Sequence, residues 1–200
     1  MKKQIVKFIN RASINENESR YKAQLPGIQK ELGNCIFTFD ASDKNYDWLV
    51  VIDDIPRTIK NRIEDLQCPK ENTILITTEP NTITKYGKAF AAQFQYLITN
   101  QEEKYLPHHN AIRSQTGNLW FYDKKLDDIL ADKEAKKTKK ISTVCSNKQQ
   151  GHTVHKKRFN FTAKLKEQVD QLARFGKGYN WIDSKFDAID SDMDVIKKGA

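Results

Sequence analysis

Residues 74–80 read ILITTEP, and this stretch decides the fold class of the chain. Its first five residues are aliphatic or β-branched, which predicts a short buried strand. Glu79 and Pro80 follow at once, so the strand brings a carboxylate to its end just before a residue with a fixed backbone angle. A carboxylate in that position is either a cap for the next element or a reactive group.

Further strands are predicted at residues 3–10, 35–40, 47–56 and 96–100. Helices are predicted between some of them, at residues 18–33, with Pro26 kinking the helix and Gly33 ending it, and at residues 85–95. The residues that carry the helical spacing in the second of these segments are Tyr86, Ala89, Phe90 and Phe94. Strands that alternate with helices predict an α/β fold with a parallel sheet covered on both faces.

Directly after residue 100, the sequence lacks a regular pattern of apolar residues. Residues 101–122 keep no period and are interpreted as a loop-rich surface. Residues 124–140 predict an amphipathic helix with Leu126, Ile129 and Leu130 on one stripe, trailing into a lysine-rich linker.

A new α/β unit is predicted to begin at residue 141. Residues 141–147 (ISTVCSN) indicate a strand, and residues 152–176 indicate a long helix that stops at Gly176. The buried stripe of this helix is predicted to consist of Phe161, Leu165, Val169 and Leu172.

A length of 200 residues suits two small domains. The predicted division is an N-terminal α/β domain (1–122), a helix and lysine-rich linker (123–140), and the start of a second α/β domain (141–200). No apolar run long enough to cross a bilayer and no secretory signal is recognised, so a cytoplasmic location is predicted. The three cysteines are odd in number and far apart, which favours reduced, buried thiols at Cys35, Cys68 and Cys145.

The formal net charge is +8, with lysines dense between residues 123 and 161. This charge indicates either a ligand that carries phosphate or, as is more common, a solvated face that keeps the protein soluble. A nucleic-acid partner is not predicted, because the chain has no recognised motif of aromatic and basic residues.

Ligands of open α/β sheets bind beyond the carboxyl ends of the strands. Glu79 stands at such an end, where partial desolvation would make it a proton acceptor near neutral pH; the alternative is that residues 79–84 form a helix or turn cap. Asp53 and Asp54 are interpreted as structural, since no third metal ligand lies near them. The neighbouring His108 and His109 are placed on the surface, and no metal site is predicted.

The strand at residues 141–147 delivers Asn147 and Lys148 to its end. After Gly151, the next helix carries Arg158 in its first turns, and a helix start with an arginine attracts phosphate. Arg158 precedes Phe161 and Leu165 by three and seven residues, which predicts an inward-facing stem with its charged head free to reach a ligand.

The order of these motifs resembles glycosyltransferase family 10, the α1,3/4-fucosyltransferases. The likeness spans residues 70–190 and is strongest in ISTVCSNKQQGHTVHKKRFNFTAKL (141–165) and FGKGYNWIDSKFDAID (175–190). The residues that match the family pattern are Ser146, Asn147, Arg158, Phe161, Leu165, Phe175 and Gly176.

The resemblance implies two Rossmann-like units of the GT-B type, with the acceptor on the first and the nucleotide sugar on the second. It implies inverting transfer of L-fucose from GDP-fucose to a glycan hydroxyl, with Glu79 as the base, and with Asn147 and Arg158 at the donor. Lys148 is predicted to join them at the donor because of its place at the strand end. No cofactor or metal is implied, because positive side chains can stabilise the developing diphosphate charge. The acceptors implied are cell-surface or lipopolysaccharide glycans, with peripheral contact to a membrane.

The resemblance weakens after residue 190, where the family has the segments that bind guanine, ribose and fucose. The chain reads SDMDVIKKGA there, so the second unit is expected to be incomplete and the chain truncated and inactive, or completed by a homo-oligomer or a split-enzyme partner. The alternative function is a non-catalytic protein that binds a glycan or a protein partner and keeps only the fold.

Overall fold

The computed structural model describes residues 2–11, 21–115, 125–132, 141–144, 148, 150–151, 153–168 and 172–175. The chain forms two compact units, the first made of residues 1–120 with 125–127 and the second of residues 121–124 with 128–200. The first unit holds a seven-stranded sheet and the second a two-stranded sheet, both accompanied by helical segments. The prediction of an α/β fold is confirmed.

The large sheet is parallel apart from one edge hairpin. Its strands are β1 (Gln4–Asn10), β2 (Glu31–Leu32), β3 (Cys35–Thr38), β4 (Trp48–Ile52), β5 (Thr73–Ile76), β6 (Tyr96–Thr99) and β7 (Ala111–Arg113). Their order is β2-β3-β1-β4-β5-β6-β7, and only β2 and β3 pair antiparallel. The described helical segments among residues 26–131 are α1 (Lys88–Ala91), α2 (Leu126–Ala131) and 3-10 turns at Pro26–Ile28, Lys60–Arg62 and Lys70–Asn72.

The connections that follow β3 pack on one face of this sheet. The core there combines Ile9, Leu49, Val51, Leu75 and Leu97 from the strands with Tyr46, Tyr86, Phe94 and Leu106 from the connections. On the opposite face, beside β1 and β3, Tyr21 stacks on Phe39 at 5.3 Å and both rings adjoin Phe8. In the strand order, β3 lies on one side of β1 and β4 lies on the other, so the order reverses direction at β1 and β4. In such sheets the crevice for a ligand opens at that point.

The predicted helix over residues 18–33 is wrong in its second half. Residues 21–23 are helical, but Pro26–Ile28 is a 3-10 turn and β2 and β3 form a hairpin around Gly33. Pro26 lacks the N–H that a continuing helix needs, and Gly27 and Gly33 adopt φ angles of +63° and +58°. Residues 12–20 lie outside the described part of the chain.

The surface stretch predicted at residues 101–122 contains a strand that the sequence reading missed. β7 pairs with β6, with Ala111 beside Leu97 and Arg113 beside Thr99. Three residues are too few to display an alternating pattern, so only the pairing partner reveals this strand. Residues 116–122 fall outside the described part.

The predicted strand at residue 141 is confirmed, and the predicted helix after it is too long. The second unit contains β8 (Ile141–Val144), α3 (His155–Gln168) and β9 (Leu172–Phe175), and β8 and β9 pair parallel with Ile141 beside Leu172. Leu172 therefore lies on a strand and not on a helix stripe. Val169 and Gly176 are not among the described residues.

The buried side of α3 differs from the predicted stripe at Phe161, whereas Leu165 of that stripe is half-buried. Thr162 is 5% exposed, whereas Phe161 is 64% exposed. Phe159 is half-buried, and residues two apart on a helix point to nearly opposite sides, so only one of the two phenylalanines can face inward. The helix buries the side of Phe159 and Thr162, and Phe161 faces solvent.

A lysine stands on the buried face of the central strand. Lys7 has no exposed side-chain surface, and its Nζ donates to the carbonyls of Ala41 and Asp43 and to Glu64 Oε1, each at 2.8 Å. The ammonium also lies 4.9 Å from the centre of the Tyr46 ring. Lys7 thus attaches two connecting segments to β1, and its positive charge is compensated by Glu64 inside the protein.

We predict that Lys7→Met lowers the free energy of unfolding by about 3–5 kcal/mol, because it leaves the Glu64 carboxylate buried without its main cation. Urea unfolding followed by circular dichroism measures this change. The matched control is Lys44→Met, which removes an exposed ammonium 3.8 Å from the same carboxylate and should cost less than about 1 kcal/mol. Equal effects of the two substitutions would contradict the structural role of Lys7.

Candidate functional site

Asp53 organises the carboxyl edge of the large sheet. It follows β4 with a φ angle of +64°, and its N–H donates to the carbonyl of Ile76 at 2.8 Å. Its carboxylate accepts hydrogen bonds from the N–H of Thr78 at 2.7 Å, the hydroxyl of Thr78 at 2.6 Å, and the hydroxyl of Tyr86. These bonds tie the end of β4 to the loop after β5, in keeping with the structural interpretation of Asp53.

Glu79 lies in that loop, and both of its backbone polar groups are held. Its N–H donates to the Tyr86 hydroxyl at 3.3 Å, and its carbonyl accepts from Gln101 Nε2 at 2.9 Å. Pro80 follows, and its carbonyl accepts from the N–H groups of Ile83 and Thr84 to close a turn. Hydrogen bonds to its N–H and carbonyl therefore fix the backbone of Glu79, and its side chain takes no part in them.

The carboxylate of Glu79 is exposed. Among the residues that the structure describes, it has no hydrogen-bond or ion-pair partner. The turn after it is closed by the Pro80 carbonyl, so the Glu79 side chain caps no described element. This observation argues against the cap, and the exposure of Glu79 also removes the partial desolvation on which the reactive-group interpretation is based.

Gln101 connects the loop after β5 to the ends of β6 and β7. It is 4% exposed, and its side-chain amide donates to the carbonyls of Glu79 at 2.9 Å and Thr84 at 3.0 Å. Arg113 donates to the Gln101 carbonyl and pairs with Glu103. Next to it, the buried hydroxyls of Thr77 and Thr99 share a hydrogen bond of 2.6 Å.

The Tyr86 hydroxyl joins the two halves of this network. Burial, reinforced by the hydrogen bond to Asp53, raises the pKa of Tyr86 above its ordinary value. The hydroxyl therefore stays protonated at neutral pH, donating to Asp53 while accepting from the Glu79 N–H.

Asp54 is the second aspartate at the end of β4, and it is also engaged. It forms ion pairs with Arg62 and, at 3.7 Å, with Arg11, and its Oδ1 accepts from the N–H of Ile55 at 2.8 Å. Within the described residues, no three His, Cys, Asp or Glu side chains are grouped closely enough to hold a metal ion.

The predicted donor residues belong to the second unit. Asn147 lies outside the described residues, and Lys148 is exposed. Arg158 is exposed, and its Nη2 contacts His155 Nδ1 one helical turn earlier. The predicted inward-facing stem of Arg158 is wrong, because it rested on Phe161, which faces solvent.

The remaining sequence expectations are met in part. His109 is exposed, but His108 is half-buried, with its Nε2 3.0 Å from the Phe94 carbonyl and its Nδ1 accepting from the Asn110 N–H at 3.1 Å. Cys35 and Cys68 are free thiols, half-buried and buried respectively. Cys145 lies outside the described residues.

The sequence predicts Glu79 as a site residue, which stays a prediction, but it does not predict the side chains that hold the Glu79 backbone. Tyr86 was assigned only to a helix stripe, and Gln101 was assigned to the loop-rich surface. A polar residue directly after a buried strand, as Gln101 is after YLITN, is the signal that could have identified it.

Comparisons with protein-family models, with curated proteins and with solved structures each returned no match for this chain. In the described residues, no helix has the length and apolar character needed to cross a membrane.

We predict that Tyr86→Phe lowers the free energy of unfolding by about 1.5–3 kcal/mol, because it removes a hydrogen bond to a charged acceptor. It also leaves the Glu79 N–H unpaired, so hydrogen exchange of this amide should accelerate. Urea unfolding and amide exchange measure the two effects. Tyr105→Phe, at an exposed tyrosine, is the control and should change neither quantity.

Two buried tyrosines, Tyr86 of this network and Tyr46 beside Glu64, predict how stability depends on pH. Folding raises the pKa values of Tyr46 and Tyr86 from 10.0, so above about pH 10 the unfolded chain loses protons that the folded chain keeps. The free energy of unfolding should therefore fall as pH rises past that value, by at most about 1.4 kcal/mol per pH unit for each tyrosine. Tyr86→Phe should make this slope shallower, and an identical slope in both proteins would contradict the prediction.

Proposed function

We propose that this protein is a fucosyltransferase-like glycosyltransferase that transfers L-fucose from GDP-fucose to a glycan hydroxyl with inversion. The observation that carries the proposal is Glu79, an exposed carboxylate without a partner in the described residues, on a backbone fixed from both sides. The resemblance of residues 70–190 to glycosyltransferase family 10 supplies the reaction class.

The finer description of the fold belongs to this proposal. In the first unit, a parallel sheet whose strand order reverses at β1 and β4 supports a Rossmann-like interpretation. In the second unit, the parallel pair β8 and β9 joined through α3 is the beginning of the same kind of architecture. Two such units would make a GT-B enzyme.

Glu79 acts as the general base in this reaction. Its carboxylate accepts the proton of the acceptor hydroxyl while the hydroxyl oxygen forms a bond to C1 of fucose. The bond between C1 and the diphosphate oxygen breaks, and GDP leaves with the bonding electrons. A fixed backbone favours this role, because a misplaced base loses much of its effect on the rate.

Arg158 and Lys148 serve the diphosphate, together with Asn147 at the donor. An arginine can bind phosphate oxygens through two N–H groups and stabilise the negative charge that develops on the leaving group. Both cationic side chains are exposed, so a ligand can reach them. No metal ion takes part in the proposed step.

The second candidate function is binding of a glycan or a protein partner without catalysis. The contact between Arg158 and His155 favours it, because a donor-bound arginine would have to exchange this intramolecular contact for the diphosphate. The two functions differ in whether GDP binds and whether fucose is transferred.

We predict that Glu79→Gln reduces fucose transfer by about 10²–10⁴-fold, because the base is lost while shape is kept. Binding of GDP should stay unchanged, since the substitution leaves the donor residues intact. Transfer from labelled GDP-fucose to a panel of N-acetylglucosamine and glucose acceptors measures the rate, and calorimetry measures GDP binding.

The matched control is Glu71→Gln, which neutralises another exposed glutamate next to β5 and should leave transfer unchanged. Transfer by the Glu79→Gln protein at the wild-type rate would refute the role of Glu79. If the wild-type protein neither binds GDP nor transfers fucose, the enzyme proposal is wrong and glycan binding becomes the function to test.

A further inference from the structure

A cavity of about 250 Å³ lies on the covered face of the large sheet in the first unit. Leu49 and Val51 of β4 form part of its lining, and Phe90 and Phe94 form another part. Ile63 and Leu66 also line it, and they are 68% and 43% exposed, so the cavity is open to solvent on their side. The lining is mainly apolar and includes two aromatic rings.

One buried carboxylate also lines this cavity. The Glu64 side chain is 4% exposed, and its Oε1 accepts from Lys7 Nζ at 2.8 Å and from the Tyr46 hydroxyl at 3.0 Å. The second oxygen, Oε2, accepts no hydrogen bond from any residue that the structure describes. A carboxylate oxygen has room for further donors, so Glu64, as a lining residue, brings an unused acceptor to an apolar cavity.

The charge around Glu64 indicates what kind of donor it can take. Lys7 already neutralises the carboxylate, and Lys44 Nζ lies 3.8 Å away on the solvent side. A cationic ligand would add a further positive charge beside these two ammonium groups and would be repelled. A neutral O–H or N–H donor would not be repelled by these ammonium groups.

The two phenylalanines of the lining favour a ligand with an aromatic ring. The rings of Phe90 and Phe94 meet edge to face, with centres 5.3 Å apart and an angle of 76° between their planes. A third ring can extend such an arrangement favourably, and a cavity of this volume holds a single ring with small substituents.

We propose that this cavity binds a small neutral aromatic molecule that carries one hydrogen-bond donor, with the ring against Phe90 and Phe94 and the donor on Glu64 Oε2. The cavity includes Thr73, the first residue of β5, whereas Glu79 lies beyond the other end of that strand. It is therefore a second site, and its occupation does not depend on the function proposed for Glu79.

The test is titration of the full-length ¹⁵N-labelled protein with p-cresol at neutral pH, followed by amide chemical shifts. We expect saturable shifts at residues 49–51, 62–66 and 90–94, with a dissociation constant on the order of 1 mM for so small a molecule. Toluene has the same ring and methyl group without the hydroxyl, and it should bind about tenfold more weakly or worse.

Two variants decide whether the shifts report this cavity. Leu66→Trp places a larger side chain at the opening and should abolish saturable binding of p-cresol. Ile83→Trp makes the same kind of change at an exposed residue, 45% exposed and outside the lining, and should bind as the wild type does. The proposal is overturned if wild-type protein shows no saturable shifts, if Leu66→Trp binds p-cresol normally, or if toluene binds as tightly as p-cresol.

Discussion

The hydrogen bonds to the Asp53 carboxylate are the constraint on which the candidate site depends. Three donors converge on this one side chain, two from Thr78 and one from Tyr86. Because Asp53 lies at the end of β4 and its donors lie after β5, the contact joins consecutive strands beyond the last ladder hydrogen bonds. Its φ angle of +64° is unusual for a residue other than glycine, and the surrounding bonds hold it there.

Asp53 positions Glu79 indirectly, through Tyr86. Tyr86 bonds both to Asp53 and to the backbone of Glu79, and Gln101 holds the Glu79 carbonyl from the side of β6. The side chains of Tyr86 and Gln101 thus hold the Glu79 backbone, while the Glu79 carboxylate is exposed to solvent. The carboxylate is therefore accessible to solvent, whereas the backbone that carries it is held by hydrogen bonds.

The sequence predicts those parts of the fold that have a local pattern. The stretch ILITTEP and its neighbouring apolar runs predict parallel strands correctly, and so does the run beginning at Ile141. The hairpin around Gly33 and the strand β7 escape prediction because their evidence is a pairing partner elsewhere in the chain. The helical spacing of Phe161 with Leu165 predicts a buried Phe161, whereas Phe159 is the phenylalanine on the buried side of α3.

The candidate site was predictable to a similar extent. A glutamate after a buried strand can be read from the sequence, and Glu79 is predicted in this way; its role stays a prediction. Lys7 and Glu64 are far apart in the chain, and neither the burial of this pair nor the cavity beside it leaves a local signature. From the sequence alone, a polar residue in a strand or loop is predicted to be exposed. Only the fold shows that Lys7 and Glu64 are buried as a pair.

The order of the strands has a consequence for how the first unit is made. β1 is synthesised first and lies inside the sheet. The hairpin of β2 and β3 joins it on one side, and β4 to β7 then add on the other side one after another. Each strand from β3 to β7 that emerges from the ribosome therefore finds a permanent neighbour already synthesised, and the edge strand β2 waits only for β3, the next strand in the chain. The sheet can grow outward in step with translation, without holding an unpaired inner strand in reserve.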